Sequence, residues 1–182
     1  MCHNIQILCI VFEVNGRNLK ELYLGDFDYG SDDSLNLAIV KFCTNLRKLS
    51  TGFKNDELET LKMVFNSCLY LESIRIWCGD YYLSEKDFLE IVAEYSPRNF
   101  HELELYYKYD LRSELLPEEL KSFFINWTNR IPQKPLSLII ICNDAVSTIA
   151  NNDENMQIIE DYIELGIIKK FEATANPYRD FY

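Results

Sequence analysis

A short block recurs along the chain, apolar at its first, fourth and usually sixth positions: Leu19-Lys-Glu-Leu22-Tyr-Leu24, Leu46-Arg-Lys-Leu49-Ser-Thr51, Leu71-Glu-Ser-Ile74-Arg-Ile76 and Phe100-His-Glu-Leu103-Glu-Leu105. The first positions advance by 27, 25 and 29 residues. Two weaker copies, Leu136-Ser-Leu-Ile139-Ile-Ile141 and Ile168-Lys-Lys-Phe171-Glu-Ala173, follow at steps of 36 and 32. Apolar residues two apart share one face of an extended strand, so each block predicts a short strand. A fixed period of this length is the sequence signature of a repeated supersecondary unit, none of whose copies buries its apolar face alone.

Each gap between blocks predicts a helix. Asp32 and Asp33 precede a stripe of Leu35, Ile39 and Phe42, and Asp56 precedes Leu58, Leu61, Phe65 and Cys68. Ser84 and Asp87 form a pair like a capping box, with Asp in place of the usual Glu, ahead of Phe88, Ile91, Val92 and Tyr95, and Pro97 stops that helix. Pro117 suits a first helical turn before Leu120, Phe123, Phe124 and Trp127, and the last helix runs from Asp153 through Met156, Ile159 and Ile163 to Gly166. Central strands of a doubly wound parallel sheet are usually continuous apolar runs. Here Lys20, Glu21, Tyr23, Lys48, Ser50, Arg75, Glu102 and Glu104 interrupt them, which fits a sheet solvated on one face.

In these blocks Cys43 stands three residues before Leu46 and Cys68 three before Leu71, with Cys2 in the same place before Ile5. With that register the chain resembles leucine-rich-repeat proteins of the ribonuclease-inhibitor-like, cysteine-containing class. The resemblance implies an α/β solenoid, a short horseshoe with parallel strands on the concave face and helices on the convex face. It covers most of residues 1–113 closely and the remainder loosely. Many members of the class are substrate receptors of SCF-type ubiquitin ligases, and the chain is similar to the repeat region of fungal F-box receptors. The resemblance therefore implies substrate recognition in ubiquitin-dependent protein degradation, with ubiquitin ligase machinery as a partner. The reading of Cys2 as lying inside a repeat means that no F-box is expected within residues 1–182, so the ligase role is implied by kinship alone.

The expected organisation is a single array over 1–182, with well-formed repeats over 19–106 and divergent ones over 107–182. Residues 2–10 read as a further strand block, yet Ile5 and Leu19 lie only 14 apart, too close for a strand, a helix and a return. Residues 1–18 are thus either a hairpin turning at Val14-Asn15-Gly16-Arg17, which the Asn-Gly pair favours, or a truncated first repeat.

Composition narrows the function. The chain has 182 residues, 18 basic against 29 acidic, and a net charge of -11, a field that repels phosphate backbones and anionic lipid. Neither a nucleic-acid nor a membrane partner is expected. The apolar runs are too short for a membrane helix and the amino terminus lacks the form of a signal peptide, so a cytoplasmic or nuclear location is expected, with the six cysteines as thiols.

Little reads as catalysis. His3 and His101 have no metal-ligand spacing around them, and the acidic cluster Asp26, Asp28, Asp32 and Asp33 lacks EF-hand order. Lys41, Arg47, Lys48 and Lys54 are followed directly by acids, and no phosphate loop, GxSxG elbow or HExxH helix occurs. No enzyme activity, metal or cofactor is expected. The candidate site is the row of side chains flanking the inward leucines: Tyr23, Lys48, Ser50, Arg75, Trp77, Glu102, Glu104 and Tyr106, with Glu21 and Ser73 beside them. Tyr, Trp and Arg are the types that most often anchor a protein interface. Two readings of Trp77 and Tyr106 stay open, as interface anchors or as covers over the strand ends. Tyr81, Tyr82, Tyr107 and Tyr109 add aromatics expected on the following loops. The expected function is a protein-interaction module that binds a protein partner on the concave face. The alternatives are a small α/β enzyme with Cys78 or Cys142 as nucleophile at the strand ends, and a truncated repeat fragment without function.

Overall fold

The computed structural model describes residues 3–24, 33–79, 81–107, 113–142 and 149–175. Cys2, Asp26, Asp28, Asp32 and Tyr109 lie outside them. Strands and helices alternate in chain order: α1 (His3–Asn15), β1 (Glu21–Tyr23), α2 (Asp33–Phe42), β2 (Lys48–Thr51), α3 (Leu58–Ser67), β3 (Ser73–Cys78), α4 (Glu85–Tyr95), β4 (Glu102–Tyr107), α5 (Pro117–Thr128), β5 (Leu136–Cys142), α6 (Asp153–Glu164) and β6 (Ile168–Ala175). The strands form one parallel sheet in the order β1-β2-β3-β4-β5-β6. Each helix packs on the next in the same order, so the helices make one row over one face of the sheet. Crossovers that always step in the same direction produce this arrangement.

Register follows the repeated block. Leu22, Leu49, Ile74, Leu103, Leu138 and Phe171 stand opposite one another across successive strands. Their side chains point to the helices, where Leu49, Ile74, Leu103 and Leu138 are buried and each contributes about 1.5–3 kcal/mol. The last turns of the helices are equivalent too. Leu19 N–H donates to Gly16 O, Leu46 to Cys43, Leu71 to Cys68 and Phe100 to Pro97, at 3.0–3.3 Å. Joints between units are made by main chain. The Lys20 carbonyl accepts from the Arg47 and Lys48 amides, that of Arg47 from Glu72 and Ser73, and that of Glu72 from His101 and Glu102, at 2.7–3.1 Å.

These turns explain two departures from the expectation. Residues 3–15 form α1, not a strand block, and the turn after it is a single 3-10 turn over Gly16–Asn18, not a hairpin. Apolar residues at 5, 7, 8, 10, 11, 12 and 14 suit either period; what decides is burial at Ile5, Phe12 and Gly16 with Leu8 and Cys9 half-buried, a helical spacing. Gly16 occupies the position that Cys43 and Cys68 hold in the next two units. A Cβ there would sit 2.8 Å from the Phe42 carbonyl oxygen and 2.9 Å from Cys43 Sγ, so the close approach of α2 requires glycine. The second departure is in β5. Leu103 pairs with Leu138, so Leu136, Leu138, Ile140 and Cys142 face the helices, and not Ile139 and Ile141. A shift of one residue exchanges the faces of every side chain in a strand. The true steps are 35 and 33 residues, from Leu103 to Leu138 and on to Phe171.

The signals at Ser84, Pro117 and Gly166 act as read, whereas α3 starts after Glu57 with no side-chain cap. Ser84 Oγ accepts from Asp87 N–H at 3.1 Å and donates to the Asp87 carboxylate at 2.7 Å, α5 begins at Pro117, and Gly166 closes α6 with φ +71°. Phe65, Phe100 and Trp127 pack edge to face through the centre of the helix layer, and Phe124 stacks on Tyr162 at 4.7 Å. Arg130 lies over the Trp127 ring at 4.3 Å and donates to Ser96 Oγ, Ser96 O and Pro97 O, tying the end of α5 to the end of α4.

Candidate functional site

The side chains between the inward residues form three rows on the helix-free face. Tyr23, Ser50, Arg75, Glu104, Ile139 and Glu172 stand in register on consecutive strands, as do Glu21, Lys48, Ser73, Glu102, Ser137 and Lys170. Nearer the strand ends runs the row Trp77, Tyr106, Ile141 and Thr174. Parallel strands lie ~4.8 Å apart, so side chains in a row are direct neighbours.

The Arg75 guanidinium donates through Nε and Nη2 to one Glu104 carboxylate oxygen, at 2.6 and 2.5 Å. Both partners are largely covered, more so than Arg47–Glu72 or Lys170–Glu172. Tyr23 donates to Glu21 at 3.2 Å and is half exposed. Partial burial, then the Glu21 hydrogen bond and charge, push its phenol up from its ordinary value. Lys48, Glu102 and Tyr106 are half-buried.

Three of the expected residues, Ser50, Ser73 and Trp77, are not presented to solvent. Ser50 is buried among its longer neighbours. Trp77 is 7 % exposed because Tyr82, from the β3–α4 connection, packs edge to face on it at 5.5 Å while Gly52 lies beneath. A Cβ at Gly52 would stand 2.6 Å from the Trp77 ring and 2.8 Å from Tyr82, so this glycine makes room for the pair. The backbone holds the cover in place, with Leu83 N–H donating to Phe53 O at 2.9 Å. The indole is therefore itself covered, by Tyr82, and is not exposed on the face. Tyr107, expected on a loop, is the last residue of β4 and is buried on the helix side. Tyr81 is 82 % exposed beside the covered indole.

A cleft of about 310 Å³ opens where β3 and β4 end and α4 and α5 begin, lined by Cys78, Tyr82, Glu85, Lys86, Tyr107 and Glu119 among others. Ends of parallel strands are where open α/β sheets usually hold ligands. Here the polar groups are occupied with one another. One Glu85 carboxylate oxygen accepts from the Tyr107 and Ser113 hydroxyls, the other from the Glu114 amide. Burial holds the Glu85 carboxyl above its ordinary value against those donors, and burial likewise pushes the Tyr107 phenol well up. Lys86 pairs with Glu119 at 3.3 Å across the mouth.

Three of the buried thiols, Cys43, Cys68 and Cys78, carry the opposite of nucleophile activation. Burial raises Cys78 well above its ordinary value, Cys43 to about 11 and Cys68 to about 12, whereas a reactive cysteine needs its pKa lowered. Cys142 is buried at the end of β5 near Thr174 O, 3.7 Å away. His101 sits at the start of β4, its Nδ1 2.9 Å from Asn99 O. Among the described residues, no group of three His, Cys, Asp or Glu side chains is placed to hold a metal ion.

Sequence reasoning passed over two buried polar clusters. Around Glu85 the signal was partly present, since Leu103, Leu105 and Tyr107 alternate and so place Tyr107 inward. The other joins α2 to the β2–α3 connection: Asn36 donates to Gly52 O and to Glu57, Thr51 donates to Asn36, and Lys54 N–H donates to Glu57. Nothing local marks Asn36 as buried.

No protein-family model matches the chain, and no curated protein sequence matches it significantly. Among the described residues no helix is long and apolar enough to cross a membrane.

Proposed function

We propose that the chain is a leucine-rich-repeat solenoid of the horseshoe type, acting as a protein-interaction module through the helix-free face of its sheet. The observation that carries this reading is the shared register of Tyr23, Arg75 and Glu104, which stand in one row with their side chains on the same face. A helix row on one side and a polar, aromatic-bearing strand face on the other is the geometry of a curved array whose inner surface reads a partner. The reachable anchors are Tyr23, Lys48, Glu102 and Tyr106, with the largely covered Arg75–Glu104 pair between them; Tyr81 adds a further exposed aromatic. Mixed charge along the rows and a net charge of -11 favour a protein with basic contacts over a nucleic acid or an anionic membrane.

The process we infer is substrate selection for an SCF-type ubiquitin ligase, in the cytoplasm or nucleus. It rests on the resemblance of the repeat and its cysteine register, not on the site. The test is affinity capture from lysate of the source organism with the wild type, with the double variant Tyr23→Ala and Glu102→Lys on the strand row, and with Lys121→Glu on α5. The expected result is a protein retained by the wild type and by Lys121→Glu and lost by the row variant. Equal retention by all three, or loss with Lys121→Glu alone, overturns the concave-face reading. Recovery of a row-dependent partner that is not stabilised when the proteasome is inhibited overturns the ligase assignment and leaves the binding face standing.

A further inference from the structure

α1 is apolar on two opposite sides. Ile5 and Phe12, with Leu8 and Cys9 between them, face α2 and the core. On the other side Ile7, Ile10, Val11 and Val14 are 47, 60, 44 and 72 % exposed. Their spacing of three, one and three residues places them in one stripe. α2, α3, α5 and α6 each expose one large aliphatic residue within the helix (Leu37, Met63, Ile125 and Ile163), which is ordinary for a surface. Four in a stripe is not, and a helix apolar on both sides is characteristic of one that is packed on both sides. Among the described elements α2 is the one helix packed against α1.

We propose that this stripe is the contact by which a second copy of the chain docks, α1 against α1, antiparallel about a two-fold axis. The stripe is self-complementary. Positions 7, 10, 11 and 14 are symmetric about the midpoint of Ile10 and Val11, so in an antiparallel pair Ile7 meets the second copy's Val14 and Ile10 meets its Val11. That is the condition an isologous interface must meet. Glu13, the one Asp, Glu, Lys or Arg residue on α1, falls opposite Leu8 of the second copy and not opposite another Glu13, so no like charges are forced together. The two helix dipoles run in opposite directions. The occupant also matches what α1 already packs against, a helix with an apolar stripe.

Four side chains fall short of the ~800 Å² per partner that a stable interface buries, so the dimer is weak and reversible. Because two chains of net charge -11 repel, added salt strengthens it, unlike an ion-paired contact.

Sedimentation equilibrium of the full chain from about 1 to 500 µM, at low and moderate salt, tests this directly. The expected result is a monomer–dimer equilibrium that tightens with salt. Val14→Glu, at the most exposed position of the stripe, raises the dissociation constant at least about 10-fold with an unchanged circular dichroism spectrum. Val14→Thr, nearly isosteric and uncharged, gives a smaller rise in the same direction and serves if the glutamate disturbs folding. A monomer throughout the range, a dimer that neither variant weakens, a dimer that salt dissociates, or open-ended association each overturns the proposal.

Discussion

Burial outweighs hydrogen bonding at Glu85, whose carboxyl is held above its ordinary value although Tyr107, Ser113 and Glu114 all donate to it. In the unfolded chain the group titrates near the usual ~4.3. Between that value and its higher folded value the native protein binds more protons than the unfolded one. The contribution of protonated Glu85 is therefore complete below the unfolded pKa and is lost as pH rises through the folded one. Urea unfolding of the wild type and Glu85→Gln over a pH series measures this. The stability of the wild type minus that of the variant falls as pH rises from about 4, and a difference independent of pH refutes it. None of this was legible locally. In sequence Glu85 is an acid in a first helical turn after a serine cap, ordinarily solvated. What buries it comes from Tyr107 and Ser113, 22 and 28 residues further on. The same distance hides Trp77: its place in the row was legible, but its cover by Tyr82 depends on how the β3–α4 connection folds back over Gly52.

At the scale of single elements, punctuation residues told most. Ser84, Pro97, Pro117 and Gly166 bound helices where the sequence placed the boundaries, because each acts on its own backbone neighbours. Ser84 is the clearest to measure. Its hydroxyl both satisfies the Asp87 amide and binds the Asp87 carboxylate, so Ser84→Ala lowers stability by about 1 kcal/mol in denaturant unfolding. A loss within error would mean solvent caps α4 equally well. Elements rich in apolar residues were harder. β5, Leu136–Cys142, is apolar at six of its seven positions, so alternation within the strand does not distinguish its faces; the partner strand does, by setting Leu138 against Leu103. α1 has the same ambiguity in helical form. Its apolar residues satisfy both a strand and a helix period, and Gly16 was read as half of a hairpin turn when it marks the tight approach of α2.

Across the whole molecule, the period of 25–29 residues made the order and register of β1 to β4 legible, since identical blocks stack in register with minimal rearrangement. In the repeat array proposed above, stability would be a sum of unit and neighbour terms, so that units with a single described neighbour open first. The two ends are unequal: β1 has three residues and β6 has eight. Native-state hydrogen exchange then finds protection greatest in β3 and β4 and lowest in α1 and β1, with β6 between them. Uniform protection would show instead that the chain opens only as a whole.

The hand-off from Lys20 to Arg47 to Glu72 to His101 uses carbonyl and amide groups alone. A seam carried by main chain depends little on which residues flank it, even where a side-chain pair such as Arg47–Glu72 spans it as well. A unit added or removed would therefore meet its neighbour through the same carbonyl and amide groups, so the outward rows can change without altering the main-chain joint.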